Sequence, residues 1–502
     1  MLLPECSSHL QIETLRSMAN RTPAVEQANH TVRRKNFHSM PMSNRLRPAG
    51  KSPLTFDLIV FYAFVLAIAA FGGSSRYDLT QLAILQPLSW LLLGITLVRL
   101  RSIQGYRALI GLSVACGIWL FAQIVPLPFW LWSALPGREA IVAADLATIG
   151  EVWRPFSLVP WRTANALGSF PMILAPILAT INLRESGPKH VLIAILALAV
   201  ASALLGLLQI LSGELYFYRI TSTNRMVGLF ANTNHNASFG AFAIVVASIL
   251  LVVGKPKAVR QTSIAVAALL VLLMIVNGSR SGLATLAIAA TTFVGCFWLT
   301  SASASRDGKT KSARNLPIAL AILALPCLIA IFLMSGRITA LDNLANQDPL
   351  GDLRFSLTPL LIDMALVYFP FGSGIGTFES AFYIVEPDRL LAPSYVNMAH
   401  NDLLQIVIEG GIIGILLVLA VVTLVVRAMG RLAKSLAIPE VRSLRLSVLG
   451  MVVILVLASA FDYPLRTPIF QASMAFVITA LFSYVHHRDS AARDSSACSE
   501  GK

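Results

Sequence analysis

Long apolar segments dominate the sequence and restrict its fold more than any other feature. They measure roughly 17–25 residues, the length that an α-helix needs to cross about 30 Å of hydrocarbon. Hydrophobic residues make up 56% of the chain and charged residues only 13%, whereas soluble domains average about 45–50% apolar and about 25% charged residues. The sequence therefore predicts an all-α polytopic membrane protein.

Twelve of these segments are long enough to be membrane spans. They lie at 55–72, 80–98, 108–132, 166–182, 190–211, 235–253, 262–277, 282–300, 316–334, 403–426, 445–461 and 467–485. Loops rich in lysine and arginine stay on the cytoplasmic side of a membrane. If both termini lie inside, 28 of the 39 Lys and Arg residues fall on that side, including every lysine. We therefore predict about 12 transmembrane helices in an N-in/C-in orientation.

The predicted transmembrane domain spans 53–486 and lies between two cytoplasmic tails. Residues 1–52 are basic and lack the apolar core of a cleavable signal peptide, so we expect a disordered tail or an extension upstream of the true start. The second tail covers 487–502.

Because the basic residues concentrate on the inner side, the net charge of +14 does not indicate nucleic-acid binding. The five cysteines show no CxxC or Cys/His spacing, so we expect neither a disulfide framework nor a metal site.

The longest polar interval is the predicted external loop 335–402, between spans 9 and 10. Residues 352–368 within it are predicted to form an amphipathic helix on the membrane surface. The glycine-rich stretch 370–378 then forces an irregular turn, and the loop closes on His400-Asn401-Asp402. All basic residues on the predicted outer side are arginines, and arginine suits bidentate binding of phosphate. We expect the chemistry of the protein in this loop.

His400 is the strongest catalytic candidate, because it lies where the external loop meets a span. Histidine can accept a proton near neutral pH; a helix-capping role is the alternative.

Glu409 lies about two turns into the same span, where ionisable side chains are costly and indicate function. Asn401, Gln405 and Glu409 recur every four residues and therefore share one helix face. For Glu409, close helix packing beside neighbouring glycines is the alternative.

Three arginines at the outer ends of predicted spans are candidates for binding phosphate. Arg225 precedes a span, Arg280 lies in a small polar turn between two spans, and Arg354 begins the predicted surface helix. For each of them, an interfacial arginine that snorkels to water is the alternative. His235 is the other histidine on the predicted outer face.

Several short motifs follow one another within 200–426. They are Arg225 with Gly228-Leu229-Phe230-Ala231-Asn232-Thr233-Asn234-His235, the Ser279-Arg280 turn, Pro370 with Gly372, Gly374, Gly376 and Phe378, and His400-Asn401-Asp402-Leu403-Leu404-Gln405 with Glu409-Gly410-Gly411. In this order, and with one large late external loop, they resemble the O-antigen ligase and Wzy-type polysaccharide polymerase superfamily.

The resemblance implies a glycosyltransferase of the bacterial inner membrane that works on the periplasmic face without a metal or other cofactor. It would take a glycan from an undecaprenyl-diphosphate carrier. As an O-antigen ligase it would transfer the glycan to lipid A-core, and as a polymerase of O-antigen or exopolysaccharide it would transfer it to a second lipid-linked glycan. Other polysaccharide-assembly proteins are candidate partners.

The resemblance also assigns roles to residues of this chain. His400 would be catalytic, and Arg225, Arg280 and Arg354 would bind the diphosphate. Seven residues would support the site, and they are Asn401, Gln405, Glu409, Gly374, Gly376, Asn234 and His235.

Two other classes of membrane protein fit part of the sequence. A secondary transporter often has twelve spans with both ends inside, but it also predicts matching halves and charges at the membrane midplane. The sequence shows no visible repeat, and Glu409 is its one charge deep in a predicted span. A flippase of the same assembly pathway is the second alternative. Ligase and polymerase share the same motifs and stay open at this point.

Overall fold

The computed structural model describes residues 56–100, 102–254, 256–304, 353–388, 396–433 and 439–500. Most of these residues are helical. The helices, in chain order, are α1 Phe56–Phe71, α2 Thr80–Val98, α3 Arg107–Ala122, α4 Phe129–Trp132, α5 Glu139–Thr148, α6 Pro160–Gly168, α7 Pro171–Asn182, α8 Gly187–Ser212, α9 Thr233–Val253, α10 Lys257–Asn277, α11 Arg280–Ala304, α12 Leu353–Tyr368, α13 Phe378–Val385, α14 Asp402–Ala433, α15 Pro439–Phe461 and α16 Pro468–Glu500. The strands β1 (Pro126–Leu127) and β2 (Arg154–Pro155) form one antiparallel pair.

This architecture is that of an all-α polytopic membrane protein, as the sequence predicts. In the described part of the chain, nine helical segments are long and apolar enough to cross a membrane, one of them formed by α6 and α7 together, and three shorter apolar helices accompany them. Each predicted span within that part coincides with at least one helix, whereas the predicted span 316–334 and the tail 1–52 lie outside it. α16 continues into the predicted tail 487–502. The span count and the N-in/C-in orientation stay predictions.

The helix in the predicted span 108–132 is shorter than expected. α3 ends at Ala122, and the following residues form β1 and the short helix α4. Pro126 and Pro128 lack a backbone N–H and cannot continue a regular helix. Beyond the helix end, the side-chain oxygen of Gln123 accepts a hydrogen bond from the backbone N–H of Ile375 at 2.8 Å. This correction places the end of α3 against the glycine-rich turn.

α9 lies at the centre of the helix assembly. Its membrane-span window is 83% buried, against 17% for α14. Phe239 and Phe242 on α9 both pack against Phe470 on α16, with ring centroids 5.6 Å apart. The aromatic contacts fix α9 in the core, and they therefore also fix the polar residues at its first turn.

α14 is broken at Gly411, which has a φ of 54° and a ψ of −146°. The break leaves backbone carbonyls without their helical partners, and the glycine-rich turn supplies new ones. The N–H groups of Ser373 and Gly374 donate to the carbonyls of Ile408 and Glu409, each at 2.9 Å. A Cβ on Gly411 would lie 2.2 Å from the carbonyl oxygen of Pro370, so only glycine fits there.

α12 confirms the helix that the sequence predicts for 352–368, and it packs against α14. Leu357, Leu361 and Met364 on α12 join Phe382 and Ile408 in a small apolar cluster. The cluster holds the described parts of the external loop against α14. Its placement on a membrane surface stays a prediction.

Candidate active site

The first turn of α9 carries polar side chains at one end of the core. The Asn232 side chain caps the helix by accepting a hydrogen bond from the backbone N–H of Asn234 at 2.8 Å, a role that asparagine favours. The cap places His235 in the first helical turn, where it is only 2% exposed. Phe230 and Tyr463 contact the His235 ring edge-on. Packing therefore fixes the orientation of this imidazole.

His400 immediately precedes the cap of α14. Its φ of 50° lies in the left-handed region, which is costly for a residue with a side chain. The next residue, Asn401, caps the helix, because its side-chain oxygen accepts the backbone N–H of Leu404 at 3.0 Å. The capping alternative for His400 is therefore wrong, and its side chain is available for another role.

Asp462, in the turn between α15 and α16, connects the two histidines. Its Oδ1 atom lies 3.5 Å from Nδ1 of His400 and 3.6 Å from Nε2 of His235. The side chains of Asp462 and His235 are 4% and 3% exposed, whereas that of His400 is 25% exposed. The Tyr463 ring lies beside both imidazoles, with centroids 5.0 Å from His235 and 4.9 Å from His400. His400 is thus the member of this group that reaches the surface.

The surroundings of Asp462 keep its carboxylate charged. Oδ1 accepts the backbone N–H of Tyr463 at 3.0 Å, and Oδ2 accepts the side-chain amides of Asn234 at 2.9 Å and Asn232 at 3.4 Å. Burial alone would raise the pKa of Asp462, but attraction to the two histidines outweighs it and holds the pKa well below its usual range. A fixed negative charge therefore lies next to His400.

Arg466, in the same turn, connects a second set of charges. Its Nε donates to Oδ1 of Asp402 at 2.9 Å, and its Nη1 donates to Oε2 of Glu409 at 3.1 Å. Glu409 is fully buried, and its Oε1 also accepts the backbone N–H of Phe378 at 3.1 Å. The Glu409 carboxylate therefore positions the start of α13 and does more than fill space between helices.

Gln405 lies between Glu409 and the His400 segment. Its Nε2 donates to Oε1 of Glu409 at 3.1 Å, and its Oε1 accepts the backbone N–H of Ala399 at 3.0 Å. The predicted common face of Gln405 and Glu409 is thereby confirmed. Since Ala399 directly precedes His400, Gln405 helps to fix the chain that carries the catalytic candidate.

Arg138 anchors the glycine-rich turn. Its guanidinium is buried and donates to the carbonyl oxygens of Gly372 and Phe156, each at 3.1 Å. Burial lowers the pKa of Arg138 to about 10, which still leaves it charged at neutral pH. Gly376 packs so closely that a Cβ there would lie 3.1 Å from the carbonyl oxygen of Arg162. Gly374 and Gly376 thus shape the turn next to Glu409.

The structure treats the three predicted diphosphate-binding arginines differently. Arg225 and Arg280 are both exposed, Arg225 in the turn before α9 and Arg280 as the first residue of α11. The backbone of Arg354 belongs to α12, but its side chain lies outside the described residues. Arg162, in contrast, is buried and pairs with Glu379 at 3.0 Å.

Sequence reasoning missed Asp462, Tyr463 and Arg466. The turn that carries them looks like a short connection between two spans, and its contacts reach residues far away in the sequence. The available signal was an acidic residue directly at the end of a span, since ionisable groups at such positions are costly.

Across the described residues, no group of three or more His, Cys, Asp or Glu side chains is arranged to hold a metal ion.

The fold and the site define a multi-pass membrane protein with a histidine–carboxylate centre at one end of its helices. Residues 265–419 match the family model of O-antigen ligase. This match supports the resemblance to the O-antigen ligase and polysaccharide polymerase superfamily that the motifs of the chain carry. The matched region includes Arg280, His400 and Glu409, whereas His235 and Asp462 lie outside it. No curated protein matches the chain.

Proposed function

We propose that this protein transfers a glycan from undecaprenyl diphosphate to an acceptor hydroxyl at the periplasmic face of the bacterial inner membrane. The acceptor is lipid A-core for a ligase and a second lipid-linked glycan for a polymerase. The observation that carries the proposal is the geometry of His400. Its Nδ1 faces the buried Asp462 at 3.5 Å, while its side chain is 25% exposed. This arrangement leaves the other ring nitrogen, Nε2, on the side away from the carboxylate, where we propose that it meets the acceptor hydroxyl.

His400 acts as the general base. A carboxylate opposite Nδ1 favours the tautomer with its proton on that atom, which leaves the lone pair of Nε2 free to accept a proton. The negative charge of Asp462 also stabilises the imidazolium that forms. Such a base contributes about 10²- to 10⁴-fold to the rate of a reaction.

The arginines stabilise the leaving group. Departure of the carrier diphosphate places additional negative charge on its phosphate oxygens, and preorganised cations can stabilise that charge. Arg225 is exposed before α9 and Arg280 is exposed at the start of α11, and the family resemblance adds Arg354. Their planar guanidinium groups can bind phosphate oxygens bidentately.

The transfer step involves one bond formed and one bond broken. The acceptor oxygen bonds to the anomeric carbon while its proton moves to Nε2 of His400. The bond from that carbon to the diphosphate oxygen breaks, and its electron pair leaves with the carrier. Because the base and the leaving group lie on opposite sides of the carbon, the anomeric configuration inverts.

The direct experiment uses the purified protein in lipid nanodiscs with an undecaprenyl-diphosphate-linked glycan and a matching acceptor. We expect glycan transfer without any other protein, with inversion at the anomeric carbon as seen by NMR of the product. The variant Arg225→Ala transfers far more slowly, whereas His190→Gln behaves as wild type, because His190 lies elsewhere and contacts Tyr62. Absence of transfer by the wild-type protein, or retention of configuration, contradicts the proposal.

Gene deletion followed by glycan sizing separates the two modes of action. Loss of all glycan from lipid A identifies a ligase. A single remaining repeat unit identifies a polymerase. Both outcomes are compatible with the same histidine and arginine chemistry.

A further inference from the structure

We propose that Asn234 is a positioning residue that connects the Ser279-Arg280 turn to Asp462 and, through Asp462, to His400. This inference rests on the proposed function, because it concerns the alignment of a phosphate-binding turn with the general base. Asn234 lies in the first turn of α9, between the two groups that it joins.

The hydrogen bonds around Asn234 have only one possible direction. Asp462 Oδ2 lies 2.9 Å from one end of the Asn234 carboxamide, and a carboxylate can only accept, so that end is the NH₂ group. The opposite end is then the carbonyl oxygen, which accepts the Ser279 hydroxyl at 2.7 Å. The Ser279 oxygen in turn accepts the backbone N–H of Gly282 at 3.0 Å. These bonds run from the start of α11 through Asn234 to the carboxylate.

A carboxamide is the side chain of matching size that can both donate a hydrogen bond to Asp462 and accept one from Ser279. Aspartate at this position could accept from Ser279, but it would place two carboxylates 2.9 Å apart. Alanine would remove a donor from the buried Asp462 and an acceptor from Ser279, which is 4% exposed. Unsatisfied buried polar groups are costly, so the partners would move to find others.

The same end of α9 also holds the turn that carries Arg225. The carbonyl oxygen of Met226, the next residue, accepts the side-chain amides of Asn236 at 2.9 Å and Asn277 at 2.8 Å. Both arginine-bearing turns are therefore attached to one helix end. Asn234 links that end to the carboxylate beside His400, and this fixes the base relative to the diphosphate-binding arginines.

The first test is the kinetics of Asn234→Ala in the nanodisc transfer assay. The variant keeps Arg225 and Arg280, so we expect the KM for the lipid-linked donor to change less than twofold while kcat per folded molecule falls at least tenfold. Asn182→Ala is the matched control, because Asn182 makes a single bond of 3.0 Å to Thr96 and is partly buried. An unchanged kcat, or a loss confined to KM, overturns the proposal.

The second test exchanges the two groups in Asn234→Asp/Asp462→Asn. Asn234→Asp alone brings two carboxylates together and should lower the melting temperature. The double variant can restore the hydrogen bond and the net charge, so we expect the melting temperature to recover. It moves the carboxylate away from His400, so we expect kcat to stay at least tenfold low. Recovery of kcat together with stability overturns the link to His400.

A third measurement does not depend on glycan transfer. The melting temperatures of Ser279→Ala, Asp462→Asn and the double variant are compared in the natural and the Asn234→Ala backgrounds. We expect the decreases in melting temperature caused by Ser279→Ala and Asp462→Asn to be non-additive only when Asn234 is present. Additive losses in both backgrounds overturn the link, whereas a non-additive result without any detectable transfer by the wild-type protein counts against the proposed function instead.

Discussion

Two pairs of arginines on the predicted outer face have opposite environments. Arg466 and Arg162 are buried or nearly so, and each is paired with carboxylates of the protein at 2.9–3.1 Å. Arg225 and Arg280 are exposed, the first before α9 and the second at the start of α11. The two groups share a residue type and the predicted side of the membrane, but their surroundings differ.

The difference predicts which arginines stabilise the fold and which can bind a ligand. A buried guanidinium needs carboxylate or carbonyl partners, because an uncompensated buried charge is strongly destabilising. Arg466 satisfies this condition with Asp402 and Glu409 and so connects α14 to the turn between α15 and α16. An exposed arginine makes little difference to folding, and its hydrogen-bond donors can serve a phosphate. Substitutions in the two groups should therefore have different consequences.

Arg466→Met should have the largest effect. It leaves Asp402 and Glu409 without their buried cation, and loss of one partner in such a pair costs about 3–5 kcal/mol. We expect little folded protein in membranes, measured by size-exclusion chromatography after mild detergent extraction. Arg466→Lys keeps the charge and should recover part of the yield. Normal yield and melting temperature for Arg466→Met would erase the distinction between the two groups.

Arg225→Ala and Arg280→Ala should leave folding intact and slow transfer. We expect about 10²- to 10³-fold lower activity for each, the usual cost of removing one group that stabilises transition-state charge. Arg219→Ala, at an exposed position in the same loop as Arg225, is the matched control. A fall in melting temperature that parallels the loss of activity would assign these arginines to the structural group.

Asp462→Asn sharpens the comparison through its dependence on pH. The pKa of Asp462 is held below its usual range, so its contribution to stability is fully present above about pH 4 and is lost only as the pH falls through the lower folded-state pKa. We expect a loss of about 1–3 kcal/mol near neutral pH. The wild-type protein should melt above the variant at neutral pH, and this difference should disappear only when the pH falls below about 4. A difference that disappears between neutral pH and pH 5 contradicts the assignment.

Asp78→Asn should have the smallest effect. Asp78 is exposed and pairs with Arg76 at 2.9 Å, and the hydrogen bond from Arg76 is the main reason that the pKa of Asp78 is lowered. A pair in which the carboxylate is exposed contributes less than about 1 kcal/mol. We expect a melting-temperature change near the detection limit, smaller still in 1 M salt. A large change would show that exposed pairs also carry the fold.

Much of the helical framework could be predicted from the sequence, because each span is encoded locally by its own apolar residues. His400, Gln405 and Glu409 could be predicted for the same reason, since they lie within one motif of the chain. α3 ends early because two prolines follow it, a local signal within an otherwise apolar segment. The site as a whole could not be predicted in this way.

Asp462 illustrates what the sequence does not encode locally. Its partners His235 and His400 lie on other helices, and a single sequence contains no signal that pairs them. The break in α14 at Gly411 is a similar case, because it depends on the turn that docks against it. Both features arise from packing between distant segments.

The most direct test of the account is the single-turnover rate of His400→Gln with lipid-linked glycan bound in excess of its KM. Glutamine is close to histidine in size but cannot act as a base. With the melting temperature and donor binding unchanged, we predict a rate about 10²- to 10⁴-fold below that of the wild-type protein. A rate within threefold of wild type would contradict the central claim that His400 takes the proton from the acceptor.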